Sequence, residues 1–123
     1  MESEPRFYNP NEYILTTTNT KISRHNTILG SDNIQVGTHS IFKENIMIRA
    51  DLAAINMGSS VILCESVIIR PTCKRVKGGL KFFHLSIGNN VLFEKRAIVQ
   101  ALKIGSNVTI GKNCVIVLYI YIY

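Results

Sequence analysis

Apolar residues recur along this chain in steps of six. Val36, Phe42 and Ile48 form one run; Met57, Leu63 and Ile69, then Ile87, Phe93 and Val99, then Ile104, Ile110 and Ile116 form three more. Four positions after most of them stands a second small or aliphatic residue: Ser40, Ile46, Leu52, Val61, Val67, Val91, Ala97, Val108 and Cys114. Apolar residues do not recur at three and four, and Val and Ile dominate, so strand is favoured over helix. Glycine follows the apolar residue in Val36-Gly37, Met57-Gly58, Ile87-Gly88, Ile104-Gly105 and Ile110-Gly111, with asparagine close behind in Gly88-Asn89-Asn90 and Gly105-Ser106-Asn107. Both residue types suit tight corners.

Six residues make one short strand and one corner. Three such sides close a triangular coil of about eighteen residues, and successive coils stack at the interstrand spacing of about 4.8 Å. The expected fold class is therefore all-β: a single-stranded left-handed β-helix, a hexapeptide-repeat solenoid, of about four to five coils in one domain spanning 1–123. Three sides break the count. The step from Ile48 to Met57 is nine, from Val99 to Ile104 five, and from Ile69 to Ile87 eighteen. The longest reads as a loop, 70–86, in which Pro71 ends a strand, Gly78-Gly79 turns the chain and Phe82-Phe83 anchor its return. Residues 1–28 show no hexapeptide frame and read as a capping strand, EYILTTT, with irregular flanks; the coils are expected over 29–116.

Composition adds bounds. With 123 residues, 46% of them hydrophobic and 18% charged, the chain can bury a core of its own. No run approaches a membrane span and the start, MESEPRFYNP, is polar and acidic, so a cytoplasmic protein without membrane insertion is expected. Cys64, Cys73 and Cys114 are odd in number and form no C-x-x-C pair, which reads as reduced thiols. The net charge of +6 is local: no acidic residue falls between Glu65 and Glu94, while Arg70, Lys74, Arg75, Lys77 and Lys81 do. A basic loop without regularly spaced aromatics suits an acidic protein surface better than nucleic acid. Arg70, Lys74, Arg75, Lys77, Lys81, Phe82 and Phe83 are accordingly the candidate protein-interaction residues.

Catalytic chemistry finds little support. His25, His39 and His84 share no frame; the first two read as surface residues, and His84, a conceivable base at the loop's return, has no acidic neighbour in sequence to orient it. IRADLAAINMG, residues 48–58, resembles the R-G-D-x-x-x-I-x-I-G signature of the γ-class carbonic anhydrase family, with Ala50 in place of glycine. That family binds zinc through three histidines, and the resemblance implies Arg70, Lys95 and Gln100 at their positions in this chain. Two cations and an amide are not zinc ligands, so neither a metal nor any other cofactor is expected. Arg49 and Asp51 then read as a structural corner pair.

The chain as a whole resembles the dynactin subunit 5 family, from Tyr8 to Ile116. SDNI, IRADLA, SVIIRP, the K-x-x-K-G-x-x-x-FF of the basic loop and QALKIGSNVTIGKNCVI carry the likeness, in order. The resemblance implies a non-enzymatic, cytoskeleton-associated scaffold of the dynactin pointed-end complex, supporting dynein and dynactin in cargo engagement. It further implies a dynactin subunit 6-like β-helical partner, with Arp11 and a p62-type subunit nearby. The alternative is a hexapeptide-repeat enzyme, a γ-class anhydrase relative or an acyltransferase. After Ile116 the family continues with further coils, whereas VLYIYIY, with 117–123 as an aberrant hydrophobic tail, reads either as a truncated or misjoined product or as an end that docks a neighbour.

Overall fold

The computed structural model describes residues 13–15 and 20–117. A short strand, β1 (Tyr13–Leu15), precedes the coils. The first coil comprises β2 (Lys21–Ser23), β3 (Thr27–Leu29) and β4 (Ile34–Val36), and the second β5 (Ile41–Phe42), β6 (Met47–Arg49) and β7 (Ile55–Met57). The third runs through β8 (Ile62–Leu63) and β9 (Ile68–Pro71), makes an excursion through β10 (Cys73–Val76) and β11 (Gly79–Phe82), and closes with β12 (Leu85–Ile87). β13 (Leu92–Phe93), β14 (Ile98–Ala101) and β15 (Lys103–Ile104) form the fourth; β16 (Thr109–Ile110) and β17 (Val115–Val117) are two sides of a fifth. Every side of a coil pairs in parallel with the same side of the next, which yields three flat sheets and the expected β-helix solenoid. They are face one (β2, β5, β8, β13, β16), face two (β3, β6, β9, β14, β17) and face three (β4, β7, β12, β15).

Register explains the step of six. Ile22, Phe42, Leu63, Phe93 and Ile110 align down face one. Ile28, Ile48, Ile69, Val99 and Ile116 align down face two. Val36, Met57, Ile87 and Ile104 do so down face three. Apart from the residues of the end coils, these side chains are buried and form one continuous core. Phe93, Ala97 and Val99 are fully buried, so the segment FEKRAIVQALKIG is wall, with its side chains in the inward frame. Ile116 sits in the inward column yet is 40% exposed, because no described coil covers it.

The corners divide into two kinds. From face three to face one the left-handed residue is His39, Ser60, Asn90 or Asn107; from face one to face two it is Asn45, Ser66, Arg96 or Asn113, all with φ between 56° and 63°. These two edges keep the count of six. Glycines in the repeat answer a different demand. A Cβ on Gly88 would stand 2.7 Å from the carbonyl carbon of Gly105 in the coil beyond, and Gly37 and Gly58 are equally close to the next coil, so at these three positions stacking rather than backbone sign requires glycine. The third edge, from face two to face three, collects every irregular step, the nine, the eighteen and the five alike. Leu52, expected inward, is only half-buried there, and Ala50 and Ile55 fill the interior in its place.

Two other expectations change. Coils begin at Lys21 and not at 29, since β2 and β3 pair in parallel with β5 and β6. The strand expected in EYILTTT is present as β1, but it runs antiparallel along the edge of β2. The loop expected over 70–86 is largely ordered as the antiparallel hairpin β10–β11, in which Lys77-Gly78 makes the turn and both Gly78 and Gly79 have positive φ. The tail beyond Val117, and with it the reading of 117–123, lies outside the described residues.

Candidate functional site

The irregular edge gathers the candidate residues. Arg49, the last residue of β6, turns its guanidinium onto Asp51 in the corner that follows, with Nε and an Nη each donating at 3.0 Å to the two carboxylate oxygens. The hydrogen bond from Arg49 holds the Asp51 carboxyl below the usual carboxylate range, and Arg49 is raised in turn. Between them Ala50 is buried; its N–H donates to the Leu29 carbonyl at 2.9 Å and its carbonyl accepts from Asn33 Nδ2 at 3.1 Å. Gly30, at φ 72°, lies so close beneath residues 50 and 51 that a Cβ there would overlap the backbone. The pair thus braces a corner. Both side chains are partly exposed to solvent.

Arg70, Lys95 and Gln100 stand at two ends of one face. Arg70 on β9 and Gln100 on β14 are neighbours in register. Lys95 stands at the other end of the same face, on the regular edge, where its Nζ lies 3.3 Å from Glu65, whose second oxygen is 3.8 Å from Lys43. Burial of the Glu65 carboxyl opposes ionisation, but the hydrogen bond from Lys95 and the charge of Lys43 outweigh it and the pKa falls. Lys95 therefore serves a ladder of alternating charge that runs between coils. Among the described residues no three of His, Cys, Asp and Glu come together as a metal site. This ladder is invisible in the sequence, because residues 43, 65 and 95 become neighbours only once the coil lengths are known.

The hairpin projects from the third coil. Its register sets Lys74 directly opposite Lys81 and Arg75 opposite Leu80, and none of its cations is paired with a carboxylate among the described residues. Like charges opposed across a strand pair repel, so this arrangement favours an anionic occupant. At the base, the Phe83 N–H donates to the carbonyl of the buried Thr72 at 3.0 Å, and Lys81 Nζ stands 5.5 Å from the Phe83 ring centroid. Lys81, Phe82, Phe83, His84 and Leu102 line an open recess of about 390 Å³. Phe82 and Phe83 are half-buried, as an anchor for the return should be. His84 is exposed and has no hydrogen-bond partner among the described residues, so no group orients it as a base. His39 is held as a left-handed corner residue, and His25 is exposed on the first coil. The three cysteines are unpaired, and burial raises the Cys64 thiol, which disfavours a nucleophilic thiolate.

The outer walls differ. Met47, Ile68, Ile98 and Val115 form an outward apolar row on face two, in which Met47 and Val115 are 39% and 64% exposed. Face three presents Gln35, Asn56, Ser86 and Lys103. One wall invites a partner and the other suits water.

Comparison with known proteins agrees with this arrangement. The model of the family described as Dynactin subunit 5 matches residues 1–121. Dynactin subunit 5 of Dictyostelium discoideum is 37% identical over 106 residues, which cover 86% of this chain and 54% of the relative. The chain thus spans about half the length of the curated relative it matches. A wall of stacked hexapeptides, a basic hairpin at its irregular edge and a likeness along nearly the whole sequence identify the chain as a member of the dynactin subunit 5 family.

Proposed function

We propose that the chain acts as a non-catalytic wall of the dynactin pointed-end complex and helps dynein and dynactin engage cargo through protein contacts. The observation that carries this reading is the commitment of Lys95 to Glu65 and Lys43, with Arg70 and Gln100 beside each other at the far end of the face. Two cations and an amide at the places where the related hexapeptide enzymes hold zinc offer no ligand for that mechanism. The apolar row Met47, Ile68, Ile98 and Val115 is flat and regularly spaced, which suits a second β-helical solenoid such as a dynactin subunit 6-like partner lying alongside. The hairpin residues Lys74, Arg75, Lys77 and Lys81 supply a separate basic contact for an acidic segment of a neighbour.

Co-expression with a dynactin subunit 6 partner tests both contacts. Ile68→Glu with Ile98→Glu should abolish the side-by-side complex, and Lys74→Glu, Arg75→Glu and Lys77→Glu together should remove the contact made by the hairpin without changing the melting temperature. Retention of every pointed-end partner by both variants would defeat the proposal. Stoichiometric zinc with measurable hydration of carbon dioxide would favour the enzyme instead.

A further inference from the structure

The hairpin β10–β11 is a sheet of its own, joined to none of the three faces. At its base the Phe83 N–H donates to the Thr72 carbonyl at 3.0 Å, and these two residues stand opposite each other one step beyond Cys73 and Phe82. Bonded and non-bonded pairs alternate along an antiparallel ladder. Lys74 and Lys81 are therefore bonded across the hairpin, as are Val76 and Gly79, whereas Cys73 with Phe82 and Arg75 with Leu80 are not. The N–H and C=O groups of Leu80 and Phe82 point outward along the free edge of β11, and no described group pairs with them. Such an edge is a template for another strand, and a ribbon of two strands alone is marginal in water.

The recess of about 390 Å³ opens at the same edge, since residues of β11 and its return line it together with Leu102, and no residue of β10 does. Leu102 belongs to the fourth coil, where its carbonyl accepts from the Ser86 N–H at 3.0 Å, so the recess is anchored to the wall. Side chains alternate across a strand. Leu80, which is 57% exposed, shares one face of the ribbon with Phe82, and Lys81 shares the other with Lys74. A strand added to β11 meets an apolar pair on one side and a pair of cations on the other.

Charge selects the occupant. Lys74, Arg75 and Lys81 have no carboxylate partner among the described residues, and the β11 edge of a second copy would bring its own lysine against this one. Like charges across paired strands repel, whereas a carboxylate opposite Lys81 is attracted to it and to Lys74 beyond. In an antiparallel addition the pair at Lys81 is of the non-bonded kind, with Cα atoms about 4.5 Å apart and side chains at their closest. The residues on either side of that carboxylate bond to the main chain of Leu80 and Phe82 and turn their side chains onto the apolar face.

We infer that the free edge of β11 takes an extended acidic segment of a partner protein as a third, antiparallel strand, with a carboxylate opposite Lys81 and an apolar residue on each side of it against Leu80 and Phe82. The inference rests on the reading of the hairpin as a protein contact and adds the main chain to that contact. The probe is a capped synthetic peptide, Ser-Thr-Val-Glu-Val-Thr-Ser, titrated into the isotope-labelled full chain. Shifts should centre on the Leu80 and Phe82 amides, which should also become slow to exchange. Methylating either valine nitrogen removes a donor aimed at β11 and should weaken binding by about tenfold, whereas methylating the glutamate nitrogen, which points away, should change it by less than about twofold. Equal tolerance of all three methylations would overturn strand addition; if that binding were still lost on charge reversal of Lys74, Arg75 and Lys77, the acidic contact itself would stand. No binding at millimolar peptide would overturn the inference as well. So would dimerisation that protects the same two amides without peptide, since the edge would then belong to a second copy.

Discussion

At the residue scale, the left-handed corners set the demands. Ser66 holds φ 63° between face one and face two, where a β-branched side chain meets its own backbone. Ser66→Val should cost about 1–2 kcal/mol in chemical unfolding, while Ser66→Asn or Ser66→Gly should be neutral or stabilising. Equal effects from all three would mean that backbone sign is not what the corner selects. The charge ladder makes a different prediction. The folded carboxyl of Glu65 titrates below its unfolded value, because Lys95 and Lys43 favour the ionised form. Its stabilisation is thus complete above the ordinary carboxylate range and is lost as pH falls through the lower folded value. Glu65→Gln should be slightly less stable than the parent at neutral pH and low salt, and indistinguishable from it in strong acid or high salt. A difference that persists in strong acid would assign the effect to packing.

At the element scale, the two regular edges tolerate nothing and the third tolerates everything. The fourth coil turns from face two to face three through Leu102 alone, between β14 and β15, whereas the third inserts a whole hairpin at the same place. Excising residues 72–83 and joining Pro71 to His84 should therefore leave the coils folded, with a melting temperature within a few degrees of the parent, and remove only what the hairpin binds. Loss of cooperative unfolding in that variant would show the hairpin to be part of the fold. The same division explains what is legible in the sequence. The columns from Val36 to Ile110 are readable because two edges keep a strict count of six. The first coil is not: Ile22 and Ile28 are six apart, but the eight-residue step from Ile28 to Val36 hides them as coil members. Leu52 is misplaced by the count for a similar reason, since the surplus in a nine-residue side can be taken up anywhere along the corner. The basic residues of the hairpin stand out as a charge run, yet the opposition of Lys74 and Lys81 needs the register.

At the scale of the molecule, each coil touches only its neighbours, so stability should be a sum of coil and interface terms and not a property of the whole at once. The fully buried residues concentrate in the middle: Phe42, Ile46 and Ile48 in the second coil, Leu63, Ile69 and Leu85 in the third, Val91, Phe93 and Val99 in the fourth. The first coil has an open cavity on one side, and β16 and β17 have no described coil beyond them. Amide exchange should accordingly be slowest for Cys64 and Ile68, whose N–H groups donate from the third coil to the fourth, and faster for Lys21 and Thr27, whose donors close the first. A gradient of at least a few kcal/mol in opening free energy from centre to end is expected, because each terminal interface opens without disturbing the next. Uniform exchange across all coils would mean that the chain unfolds as one unit and that its ends are no weaker than its middle.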